Sequence, residues 1–306
     1  MVSKLSKSLR RCNRANNAAL SRADKAAKRF AAIIRELEVE IKKELLAVFS
    51  RIRGLDAQSA QMHINLLLAD ISRTIERTLK NPLVGSGEIL WSVDDASIIR
   101  KAIAMAVISG SHLGYLASRS FLGADAAKKA LTDIRMVSQQ AMAKRVRLLA
   151  DAFDLSIKDW VFTHIQYPIN IGRDFDWILG DVNETFQRKV SPFRVSGVQP
   201  ETRAAMIGKG ETILIGLGTL TALGALAKSI NPDQKLFAQS VAIHDSKTGQ
   251  DSLDAESMTS GWVEFPEPYL SMTEFRRRPN DRCIDVVVPF SDLAELGIEP
   301  EIDEES

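Results

Sequence analysis

Apolar residues recur along the first half of the chain at steps of three and four, the spacing of a helix that buries one face. Between Ser21 and Arg53 the inward series is Phe30, Ile34, Leu37, Ile41, Leu45 and Val48. Alanines and long charged residues fill the remaining positions, and both favour helix. Glu36, Glu38, Glu40 and Glu44 beside Lys42 and Lys43 read as a solvated face with some i,i+4 pairing. Gly54 stops this helix. A second runs from just after Asp56 to Lys80, with Ile64, Leu67, Leu68, Ile71, Ile75 and Leu79 inward, and ends at Asn81-Pro82, Gly85 and Gly87. The stretch Trp91–Asp95 offers Ser92 or Asp94 as a cap for a third helix, Ala96 to about Ser120. Its apolar row is Ile99, Ile103, Ala106, Val107 and Leu113, and its Gly110 and Gly114 let another helix come close. A fourth helix covers Asp125 to Phe153, with Ala127, Leu131, Ile134, Val137, Met142, Val146 and Leu149 as its seam.

Four such helices predict a bundle or layered helical domain over residues 1–153. The texture then changes. Residues 154–200 gather Trp160, Phe162, Tyr167, Phe175, Trp177, Phe186 and Phe193 among breakers, with a short helix near Asp174 to Val190, and form a connecting region. Ser191–Pro200 carries two prolines and a glycine and marks a junction. Residues 201–298 predict a smaller mixed α+β domain. It holds a glycine-bearing apolar run, a turn at Asn231-Pro232-Asp233 and a polar, loop-like stretch from Asp245 to Met258. Lys247 to Gln250 is a hairpin or exposed loop, and Ile284–Pro289, with three consecutive valines, is a strand. Residues 299–306 form an acidic, disordered tail. The expected fold class is mainly α: an N-terminal helical bundle followed by a smaller mixed α+β region.

Composition refines this picture in one respect. At 306 residues, 45% hydrophobic and 26% charged, the chain is an ordinary globular protein with room for about two domains. The net charge is only +1, yet Met1–Arg53 has fourteen Lys and Arg against five Asp and Glu, and Asp285–Ser306 has eight acidic residues and no basic one. Opposite ends of such a chain can pair between neighbouring subunits, or the basic end can face nucleic acid. Cys12 and Cys283 lie far apart, which is neither a disulfide framework nor a metal site, and a reducing compartment is the default. The N-terminus is basic without an apolar core, so it is no secretory signal. Its acid-free, serine-bearing start has the composition of a transit peptide, but the basic pattern continues into a regular helix.

Candidate chemistry is sparse. Gly208-Lys209-Gly210-Glu211-Thr212 lacks the order of a phosphate loop, and Thr221 stands where Gly216-Leu217-Gly218 would need a third glycine. His63, His112, His164 and His244 form no local zinc pair. Asp154, Asp159, Asp174, Asp176 and Asp181 read as caps and surface groups; convergence of Asp174, Asp176 and His164 on a deep pocket would be needed to make an active site. The expectation is therefore no enzyme, no cofactor and no metal.

The most unusual stretch is Thr212–Ala227, sixteen residues without a charge that include Gly216, Gly218 and Gly224. It falls just short of the roughly twenty apolar residues of a membrane span. Three surroundings stay open for it: a buried core, a self-association surface, or a bilayer. Leu217, Gly218 and Gly224 are the candidate contact residues in this run. On the basic first helix the candidates are Lys25, Lys28 and Arg29, in the company of Arg10, Arg11, Arg14 and Arg22. Such a cluster serves subunit docking or nonspecific contact with nucleic-acid phosphates. Without aromatics interleaved before Phe30, stacking on single-stranded bases is not indicated.

Near the C-terminus, Arg278–Pro289 (RPNDRCIDVVVP) resembles the closing segment of phage minor head proteins of the Mu F-like family. That segment reads histidine, proline, any residue, cysteine, arginine, cysteine, then a short apolar stretch ending in proline. Pro279, Arg282, Cys283 and Pro289 match it, while Arg278 replaces the histidine and Asp281 the first cysteine. No metal or cysteine-pair role is carried over, and the likeness covers twelve residues of 306. The resemblance implies a structural component of a bacteriophage virion, at the head or portal–neck region, without catalysis. Its partners would be other virion subunits and copies of itself, and it would reside in the host cytoplasm before assembly. The alternative is a membrane-inserting or membrane-anchored protein that uses Thr212–Ala227.

Overall fold

A computed structural model describes residues 4–83, 97–119, 121–242, 250–273, 283–295 and 297–300. The protein is mainly helical, with a run of helices followed by a smaller β/α region. The helices are α1 (Lys4–Ile52), α2 (Ala57–Ile75), α3 (Ile98–Ser118), α4 (Ala124–Val161), α5 (Tyr167–Asn170), α6 (Phe175–Gln187) and α7 (Pro200–Ile230). The β/α region adds β1 (Leu236–Ala242), α8 (Gln250–Met258), β2 (Val263–Phe265), α9 (Tyr269–Met272), β3 (Cys283–Pro289) and α10 (Phe290–Ala294). A single wider π turn follows α2 at Glu76–Lys80 and another follows α4 at Phe162–Gln166.

Several boundaries have plain local causes. Gly54 adopts φ +81° just past the end of α1, a conformation L side chains avoid. Asp56 caps α2 by accepting from Ser59 N at 2.9 Å, and Asp174 caps α6 by accepting from Asp176 N at 2.8 Å. Pro200 opens α7, where its missing N–H costs no hydrogen bond.

Four sequence expectations need correction. Helix α1 begins at Lys4, well before Ser21, because residues 4–20 contain neither glycine nor proline and are rich in helix formers. Helix α4 passes the boundary expected after Phe153 and continues to Val161. Gln250–Met258 is a helix rather than a loop, with Gln250 Nε2 donating to Asp254 Oδ1 at 2.7 Å across one turn. Val137 is 61% exposed, not part of the α4 seam. The step of five from Val137 to Met142 turns about 140° around a helix, so the two cannot share a face. The cap at Trp91–Asp95, Gly85, Gly87, Lys247–Gly249 and most of the acidic tail lie outside the described residues, as do Arg278–Arg282.

Contacts divide the chain into two units. The first comprises Met1–Ala26, Ala104–Gln139 and Gly208–Ser306; the second comprises Ala27–Ile103 and Gln140–Ile207. In the second unit the expected stripes of α1 and α2 are buried, from Phe30 to Val48 and from Ile64 to Leu79, except that Leu68 is only partly covered. Val146, Phe153 and Ile157 of α4 and Ile178 and Val182 of α6 are buried in the same unit. Phe193 stands among Phe153, Trp160 and Phe186, with ring centroids 5.5 to 6.2 Å away. The guanidinium groups of Arg100 and Arg147 donate to the carbonyls of Pro82 and Leu83, which closes the end of the helical run there.

The first unit holds a three-stranded antiparallel sheet of order β2-β1-β3, in which Leu236 faces Phe265 on one side and Pro289 on the other. The period of two sorts its side chains. Leu236, Ala238, Val263, Phe265 and Val287 join Leu220 and Ala227 of α7 in one core cluster. Phe237, Trp262, Val286, Val288 and Leu293 form a second cluster. Thr259, just beyond α8, accepts from Ser240 N at 2.8 Å and so ties that helix to β1.

Candidate functional site

The uncharged run Thr212–Ala227 is the middle of α7, and its inner face is packed against two partners in the first unit. One is α3. A Cβ on Gly110 would lie 2.5 Å from Thr212 O, and one on Gly114 would lie 2.4 Å from Gly216 O. The helices therefore meet backbone to backbone, the close approach that small residues permit. The other partner is the sheet core, where a Cβ on Gly224 would lie 2.5 Å from Phe265 Cε1. The hydroxyls of Thr212 and Thr219 are buried and donate to the carbonyls of Gly208 and Ile215, each at 2.7 Å. These bonds satisfy the polar groups that a tightly packed helix brings inside.

The outer face is different. Leu214, Gly218, Ala222, Ala225 and Ser229 are exposed at steps of three and four, a single uncharged stripe. Of the three candidate residues here, Gly218 faces open space, since a Cβ on it would meet nothing within 4 Å, while Leu217 packs partly against the α7–sheet cluster. Gly224 is spent on the intrachain contact with Phe265. Among the described residues, Pro200–Ile230 is the one helix long and apolar enough to cross a membrane, and 39% of its apolar window is buried in the fold. Gly218→Ala should stabilise the protein by about 1 kcal/mol, because alanine is the better helix former and meets no neighbour there. Chemical denaturation checks this, and a loss of stability would mean that the stripe is already occupied.

Lys25, Lys28 and Arg29 are all exposed on α1, as is Arg22, and their spacing places them on one side of that helix. Lys209 reaches Asp24 at 3.2 Å. The middle-region carboxylates have local structural tasks: Asp174 caps α6, and Asp176 pairs with Arg53 at 3.2 Å in an exposed bridge. Asp154 accepts from Ser72 Oγ and from Lys158 Nζ, each at 2.7 Å. His164, in the π turn, meets Asp181 at 3.2 Å and stacks on Trp160 with centroids 4.9 Å apart. Asp174 and Asp176 are exposed, and each of Asp174, Asp176 and His164 is engaged by a different local partner. Among the described residues no three His, Cys, Asp or Glu side chains gather as a metal site would require.

One residue departs from its sequence reading in a way that matters. The sequence pattern predicts a solvated Glu38, but the residue is 5% exposed. The signal was present: Glu38 lies about 20° around the helix from Leu45, at the margin of the apolar stripe.

His112, on α3 of the first unit, has its pKa lowered from 6.5, chiefly by burial and then by the charges of Arg22 and Arg135. The unfolded chain then binds the proton more readily than the folded one just below that value. Stability contributed at this site is therefore kept above about pH 6.5 and lost as the pH falls through the lowered folded value. Thermal melts from about pH 7 to about pH 5 should show a decline that His112→Gln reduces. Equal slopes for the two proteins would remove His112 as a source.

No protein-family model, curated protein or solved structure matches the chain.

Proposed function

We propose that this chain is a non-enzymatic structural component of a bacteriophage virion, at the head or portal–neck region, that acts through contacts with other subunits and with copies of itself. The observation that carries the assembly reading is the outer stripe of α7, where Leu214, Gly218, Ala222 and Ala225 stay exposed on a helix apolar enough for a membrane. A small, uncharged helix face lets a second helix approach closely. The virion assignment draws on the match of Pro279, Arg282, Cys283 and Pro289 to the Mu F-like closing segment. Light scattering on the purified protein and electron micrographs of its native source test the proposal. A strictly monomeric protein that joins no particle would sink it.

Lys25, Lys28 and Arg29 are the second contact surface, facing acidic subunit regions or nucleic-acid phosphates. Reversing all three to glutamate should weaken assembly or nucleic-acid retention in a salt-dependent way, with helix content by circular dichroism unchanged. Assembly that is indifferent to the triple change would leave α7 as the sole contact.

Bilayer insertion is the alternative, favoured by the length and composition of α7. It would require α7 to abandon Gly110, Gly114 and Phe265, which is why subunit contact is preferred. Flotation with liposomes that is lost on Leu217→Asp would favour insertion. A wild-type protein that stays free of liposomes at low and high salt would end it.

A further inference from the structure

Within the second unit, α1, the turn after α6 and the start of α7 line a half-open cleft of about 330 Å³, within the range of small-ligand sites. Glu38 forms part of its wall. Glu38 Oε1 forms an ion pair with Lys42 Nζ at 2.8 Å, and that ammonium lies 5.5 Å from the centroid of Phe186. The other oxygen, Oε2, is buried without a donor. A carboxylate oxygen in that state bears a desolvation cost that a bound donor would remove.

The rest of the lining narrows the chemistry of the donor. Val39 and Val190 line the cleft while remaining 63% and 50% exposed, an aliphatic part of the wall open to solvent. Arg35 and Glu201 satisfy each other through two bonds of 3.1 and 2.9 Å. Lys189 is exposed and pairs with no carboxylate among the described residues. A divalent cation would find only one carboxylate oxygen free, too few hard ligands to hold it. A purely cationic ligand would face Arg35, Lys42 and Lys189 against two carboxylates, of which Glu201 is engaged through both oxygens and Glu38 through one. What remains unmet is one acceptor, one ammonium and a patch of aliphatic surface.

We propose that this cleft binds a free aliphatic α-amino acid, with its ammonium on Glu38, its carboxylate on Lys189 and its side chain across Val39 and Val190. Oε2 is sealed from solvent, so the ammonium reaches it only when side chains of the wall shift, and the exposed Arg35–Glu201 bridge among them contributes little stability. Isothermal titration of the whole chain with L-leucine tests the site, against isoamylamine, which lacks the carboxylate, and N-acetyl-L-leucine, which lacks the ammonium. L-Leucine should bind saturably, and each of the two analogues at least about tenfold more weakly. Glu38→Gln and Lys189→Ala should each weaken L-leucine about tenfold. Lys189 is exposed, so its variant keeps the test decisive where Glu38→Gln fails to fold. No saturable binding of L-leucine up to about 10 mM, or unchanged affinity in Lys189→Ala, would overturn the proposal.

Discussion

Gly114→Ala should lower the stability of the folded protein by about 3 kcal/mol, although alanine is the better helix former by about 1 kcal/mol. The new Cβ would lie 2.4 Å from Gly216 O, 2.6 Å from Leu220 N and 2.6 Å from Thr219 Cβ. Two of those three atoms are backbone, which no rotamer change can move aside. Helix α7 would have to retreat from α3, yet it is also pressed on Phe265 at Gly224. Interiors packed this densely absorb such a shift poorly. Denaturant unfolding gives the magnitude, and faster amide exchange in α3 and α7 gives the location. Gly110→Ala should behave likewise, with its Cβ 2.5 Å from Thr212 O. An unchanged midpoint for Gly114→Ala would mean that the two helices do not meet there. The opposite sign expected at Gly218, on the same run of α7, makes the pair a test of packing rather than of glycine itself.

Phe193→Ala should cost about 4 kcal/mol, the usual loss for a buried aromatic ring that leaves a void. Phe193 is fully buried, and its ring meets Phe153 and Trp160 edge-on at 6.2 and 5.5 Å. Such pairs add to the benefit of burial itself. Trp160 also stacks on Phe186 at 5.0 Å, so the change should alter the tryptophan emission as well as the unfolding midpoint. A loss below about 1 kcal/mol would mean that neighbouring rings fill the gap.

The long helices were legible because burial on one face imposes a period. The residues assigned inward on α1, from Phe30 to Val48, are all buried, and so are those of α3. Gly110 and Gly114 signalled a close helix, but not that the helix would be α7, since partners distant in sequence leave no mark on local spacing. Thr212–Ala227 had no readable inward face for a related reason. When both faces are built from small and apolar residues, the exposed Gly218 and the buried Gly224 look alike in the sequence. Glu38 was misplaced by its chemistry, a charge beside other charges, although its angular position told against a surface site. Trp160, Phe186 and Phe193 stand out as an aromatic group in the sequence, but their convergence depends on chain reversals that periodicity does not encode.

Helices α1, α3, α4 and α7 each supply residues to both contact units, and the divisions after Ala26, Ile103, Gln139 and Ile207 all fall inside helical turns. This has a genetic consequence. No single crossover in the coding sequence can exchange one unit for a variant version of itself and leave the other untouched. A recombinant that exchanged one whole unit would join half-helices of different ancestry at all four divisions, and a single crossover anywhere between Gly114 and Thr212 separates the interlocking Gly110 and Gly114 from Thr212 and Gly216. The chain is therefore expected to diverge as one block, by point substitution and not by shuffling.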